Sequence, residues 1–107
     1  MALTKDFAVV LADRIEREPE FATALLDEAI AVFLNGEPAV ARLVLRDLVN
    51  ATIGFEGLAT ATGRPSKSLH RMLSAKGNPT MDNLTLILGV LRQELGVEIQ
   101  VQTVACA

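Results

Sequence analysis

The chain has no tryptophan, no tyrosine, four phenylalanines and one cysteine in 107 residues. Without large aromatics its core must be aliphatic, and alanine, leucine and valine at this density favour packed helices. Cys106 stands next to the last residue with no second thiol, which excludes an intrachain disulfide and a thiolate metal site. His70 is the only histidine, so no metal-ligand spacing exists. There is also no phosphate-cradling glycine loop, no nucleophile elbow and no base placed for a serine. Neither an enzyme nor a cofactor or metal is therefore expected. No apolar run reaches the roughly 18 to 20 residues of a membrane span, and no basic-then-apolar leader opens the chain. The expectation is a soluble cytoplasmic protein, and its length suits a single domain over residues 1–107.

What is present is unevenly placed. The net charge is −3, with five Lys/Arg against ten Asp/Glu in residues 1–56. Residues 57–81 carry Arg64, Lys67, Arg71 and Lys76 and no acid; residues 82–107 set Arg92 against Asp82, Glu94 and Glu98. Charge acts over a Debye length of roughly 8 to 10 Å, so a local basic patch can hold DNA phosphate on an acidic protein. A plain solvated face would account for the same cluster. The acidic first half has two readings as well: solubility with repulsion from the wrong parts of DNA, or docking to a basic partner. No Gly/Ser-rich linker separates that half from the basic stretch.

Helix signals run in order. Thr4-Lys5-Asp6 offers a cap ahead of Phe7, Val10, Leu11 and Ile15, which share one helical face. Pro19 ends that helix near Glu18 and opens a second, with Phe21, Leu25, Leu26, Ala29, Ile30, Phe33 and Leu34 at spacings of three and four. Asn35-Gly36 closes it. Glu37-Pro38 starts a third, with Val40, Leu43, Val44 and Leu48 on the apolar side and Arg42, Arg46 and Asp47 on the wet side. Ala75-Lys76-Gly77-Asn78-Pro79 is turn chemistry in which glycine tolerates positive φ. Thr80 caps a helix from Met81 to Leu95 with a stripe of Met81, Leu84, Ile87, Leu88, Leu91 and Leu95. Beyond Gly96, Val97 to Gln102 alternates apolar with polar, which is a strand period. A lone strand needs a partner, and a second copy of itself is favoured over a partner protein or water.

The stretch Phe55 to Ser74, FEGLATATGRPSKSLHRMLS, organises the rest. It reads as two short helices joined by a tight turn. Ala59 is small where two steeply crossed axes meet, and Gly63 can take the positive φ that ends the first helix. Leu58, Leu69 and Met72 supply the buried contacts, leaving Ser66, Lys67, Ser68, His70 and Arg71 off that face. Short hydroxyls beside two permanent cations suit a DNA major groove. Arg71 lies one turn from Lys67 and could grip guanine with two hydrogen bonds, while Lys67 could reach base or phosphate. Ser66 and Ser68 sit where hydroxyls and free N–H groups meet phosphate, although Ser66 could equally be a helix cap. His70 is either an exposed base or phosphate contact or a half-packed ring. Ser74, Lys76 and Asn78 complete the candidate DNA-binding set, Asn78 also being explained by the turn alone.

Ala59, Gly63, Leu58, Leu69 and Met72 resemble the helix-turn-helix of the phage-repressor-like transcription factors. Ser68 to Leu84, SLHRMLSAKGNPTMDNL, is similar to the same region of the addiction-module antidote proteins, the DNA-binding antitoxins of bacterial toxin-antitoxin pairs. The likeness spans about Leu48 to Val101. It departs at Phe55, where the wider superfamily often has a glutamine near phosphate, and at Arg64, where an apolar turn residue is usual. The fold class implied is all-α: a compact helical domain with N-terminal helices over 1–53, a repressor-like helix-turn-helix over 55–74, a supporting helix over 80–95 and a short C-terminal β-strand over 97–102. The function implied is a homodimeric repressor on a palindromic operator in double-stranded DNA, acting as the autorepressing antitoxin of a small basic toxin. Two rivals stand beside it: a toxin-binding protein with vestigial DNA binding, and a phage-derived repressor with no toxin.

Overall fold

Local signals divide the chain into helices, and the computed structural model describes it from Ala2 onward, with side chains from Phe7. Among the described residues there are α1 Ala2–Arg17, α2 Pro19–Leu34, α3 Pro38–Ala51, α4 Gly54–Thr62, α5 Ser66–Met72 and α6 Met81–Leu95. Pro19 and Pro38 each occupy a first turn, where the missing N–H costs nothing. Gly63 and Gly96 end α4 and α6 in the left-handed conformation, with φ of 71° and 65°. Thr80 caps α6, its Oγ1 accepting from the Asn83 N–H at 3.1 Å. No described helix is long and apolar enough to cross a membrane.

The core is a single cluster, aliphatic except for Phe55. Leu26 of α2, Leu45, Leu48 and Val49 of α3, Phe55 and Leu58 of α4, Leu69 of α5, Leu73 and α6's Ile87 and Leu91 meet there. Each fully buried leucine contributes roughly 1.5–3 kcal/mol relative to exposure. This matters most for α5, which at seven residues is too short to persist alone.

Several sequence expectations need correcting, among them the apolar face of α2, where Phe33 and Leu34 are exposed. The C-terminal β-strand over 97–102 does not form: the described residues contain no strand, and Val97 to Ala107 carries no regular structure. An extended segment becomes a strand only when a neighbouring backbone supplies a ladder, and this helical body presents no sheet edge. The alternation has another cause. Val97 and Ile99 are half-buried against the helices while Glu98 and Gln100 face solvent, and the tail continues beside Ile30 and Leu34 of α2.

On α1, the helix begins at Ala2, so Thr4 to Asp6 lie within it, and their side chains fall outside the described residues. Leu11 is buried and Ile15 half-buried, but Phe7 and Val10 are 51% and 63% exposed. α1 rests on the outside of α2 and α3, so a narrow stripe of it is covered. On α3 the buried stripe is Ala41, Leu45, Leu48 and Val49, rotated from the expected face; Val40 and Leu43 are exposed and Val44 is half-buried. Met81, expected to begin the α6 stripe, is 85% exposed at a groove shared with Phe33, Pro38, Arg42 and Asn78. Periodicity finds an apolar face but cannot say whether a neighbour covers it.

The groove between α1 and α3 holds two ionisable groups, Arg14 and Asp47, among apolar side chains. Asp47 shares it with Phe7, Val10, Leu11, Phe21 and Val44, and burial raises its carboxyl above the ordinary 3.8, opposed in part by Arg46. Between 3.8 and the raised value the folded state binds more protons than the unfolded one. Stability therefore falls as pH rises through that interval and stays lower above it. Asp47→Asn is expected to melt above the parent protein near pH 7, with the gap closing near pH 3, in paired thermal melts.

Candidate nucleic-acid interface

The turn between α4 and α5 is built by local chemistry. The Gly63 N–H donates to the Ala59 carbonyl at 2.9 Å, and the Thr62 hydroxyl donates to the Leu58 carbonyl at 2.8 Å. The Arg64 N–H donates to the Thr62 hydroxyl at 3.3 Å, and Pro65, extended at φ −61° and ψ 139°, directs the chain into α5. Arg64 is the residue that departs from an apolar turn. Its Nε donates to Asn83 Oδ1 at 2.9 Å, which ties the turn to α6.

Leu69 of α5 and Leu73, the residue that ends it, are each 1% exposed, four residues apart and facing the core, with Met72 half-buried beside them. The opposite face consequently points outward. Lys67, His70 and Arg71 are exposed, and Ser66 and Ser68 are half-buried. Among the described residues, ion pairs join Arg14 to Glu18 and Arg17 to Asp13, all on α1 and its end, and none engages Lys67, Arg71 or Lys76.

The candidate residues fall into groups. Ser68, Arg71, Lys76 and Asn78 line one shallow cleft of about 370 Å³, floored by Met72 and Gly77. Two cations, a hydroxyl and an amide there can meet phosphate oxygens or base edges. Lys67 and His70 lie outside the cleft. Ser66 is the first residue of α5 and not its cap; Pro65 holds that position and no side chain caps the helix. Ser74 lies past the end of α5, its hydroxyl donating to the Arg71 carbonyl at 2.7 Å.

His70 is both packed and exposed. Its ring stacks on Phe55, with centroids 3.8 Å apart and planes at 19°, so one face is covered while the residue stays open to solvent. Phe55 is thus a platform from the start of α4 that holds the imidazole on the outward side of α5.

The loop after α5 depends on two residues whose roles differ from the sequence expectation. Gly77 does not have positive φ; the described glycines that do are Gly36, Gly54, Gly63 and Gly96. It is buried because the Met72 and Arg71 carbonyls press against it, leaving no room for a Cβ. Arg42, expected on the wet side of α3, donates from Nε to the Ser74 carbonyl at 3.0 Å and from Nη2 to the Ala75 carbonyl at 2.8 Å. Contacts between positions 32 and 33 residues apart leave no trace in local spacing. Leu73 is the buried residue that sequence spacing does signal, since it continues Leu69 by one turn.

Comparison with protein-family models, with curated proteins and with solved structures finds no match to this chain.

Proposed function

We propose that this protein is a sequence-specific regulator that binds double-stranded DNA by laying the outward face of α5 in the major groove. The observation that carries this reading is the pairing of two buried leucines, Leu69 and Leu73, with outward Lys67, His70 and Arg71 on a short helix with no acid from residue 57 to 81. The left-handed Gly63 turn and the α6 brace behind it support a helix-turn-helix assignment. One such head covers a half-site, so the proposed active form is a homodimer on a palindrome, its heads about one DNA turn, roughly 34 Å, apart. The resemblance of Ser68 to Leu84 extends the proposal to an autorepressing antitoxin whose acidic first half meets a small basic toxin.

A fluorescence anisotropy titration with the duplex upstream of the protein's own reading frame, against a random duplex, tests the DNA reading. If each subunit neutralises three to four phosphates, the log–log dependence of affinity on salt has a slope of about −5 to −7. Equal affinity for both duplexes, or a slope near zero, overturns it. Co-expression with the adjacent reading frame tests the antitoxin half.

A further inference from the structure

We infer that Arg42, which lies on α3 outside the helix-turn-helix, is a positioning residue of the DNA interface: it sets the loop that presents Lys76. The inference rests on the DNA-binding reading above. Its guanidinium commits Nε and Nη2 to the adjacent Ser74 and Ala75 carbonyls, at 3.0 and 2.8 Å. Lys76 is the next residue and is exposed, and no hydrogen bond among the described residues holds its side chain. Its place is set by the backbone that carries it. That backbone is not helical; it is held by the Arg42 fork, by the Gly77 N–H donating to the Ser74 carbonyl at 3.0 Å, and by the packing of Gly77 under Arg71 and Met72. A planar guanidinium offers two separate nitrogens in a fixed fork to two neighbouring carbonyls, whereas an ammonium's three donors radiate from one nitrogen. Because Ser74 is half-buried and Ala75 exposed, water can replace the lost donors. Removing the fork therefore loosens the loop while leaving the core packing intact.

The test compares Arg42→Met, Lys76→Ala and the double variant in the full chain. Arg42→Met keeps most of the apolar stem and removes the donors. Thermal melts and amide exchange come first: the expected result is a melting point within a few degrees of the parent, with faster exchange at Gly77. In the anisotropy titration, loss of one phosphate contact per subunit makes the salt slope shallower by about 2 and weakens the dimer about thirtyfold at 0.15 M salt. Arg42→Met and Lys76→Ala should each show this loss, and the double variant should be no weaker than the worse of the two. Arg42→Lys, with one donor group, should fall between.

Multiplying effects, with the double variant near a thousandfold, would make Arg42 a phosphate contact in its own right and overturn the positioning role. Unchanged Gly77 exchange and unchanged affinity in Arg42→Met would overturn it as well. If the parent binds no duplex, the DNA reading itself fails and takes the inference with it.

Discussion

Gly77→Ala is expected to lower the melting temperature by roughly 10 to 20 °C, corresponding to about 2–3 kcal/mol of overpacking. A Cβ at Gly77 would fall inside contact distance of the Met72 carbonyl oxygen and 2.6 Å from that of Arg71. Both neighbours are backbone at the end of α5, so neither can swing aside as a side chain could. The alternative is for the loop to lift, which would break the Gly77 to Ser74 hydrogen bond and pull against the Arg42 fork. Gly63 makes the contrast. Nothing lies within 4 Å of a Cβ there, and its φ of 71° costs an alanine roughly 1–2 kcal/mol. Differential scanning calorimetry of Gly77→Ala gives the measurement; a loss no greater than that would mean the loop yields freely and that α5's end is not held as described.

Arg71→Ala is expected to collapse the preference for target over random duplex by about fivefold to a hundredfold per half-site, the value of one bidentate guanine contact. Binding to random DNA should weaken much less, because a lost base contact leaves the phosphate contacts in place. A second role competes for this side chain. Arg71 shares its cleft with Lys76, Ser68 and Asn78, a set equally able to grip phosphate. Equal loss on target and random duplex would assign Arg71 to the backbone and leave Lys67 and His70 as the outward groups able to read bases. The anisotropy titration on both duplexes decides between them.

Much of the architecture is legible from short-range chemistry. Pro19, Pro38, Gly63, Thr80 and Gly96 bound helices close to where their backbone preferences place them. The exposure of Lys67, His70 and Arg71 accompanies the inward turn of Leu69 that helical spacing implies. The departures share a cause. Apolar character and spacing assign Phe7, Val10, Val40, Leu43 and Met81 to a core, yet the helices beside them do not cover those faces. The alternation from Val97 to Gln102 has the period of a strand, but only Val97 and Ile99 are half-buried against the helices and Val101 is exposed. At Gly77 the turn-rich context suggests conformational freedom, whereas what the glycine supplies is space.

The sequence by itself determined most helix boundaries, though not the start of α1, and that the interior is mainly aliphatic and the acid-free cationic stretch lies around α5. Those properties depend on neighbours a few residues away, whose capping, spacing and charge are written in order along the chain. Tertiary structure alone decided which apolar faces are covered, that Arg42 reaches the carbonyls after α5, and that His70 lies flat on Phe55. Such contacts join residues distant in sequence, and they exist only once packing has brought their backbones within a few ångströms.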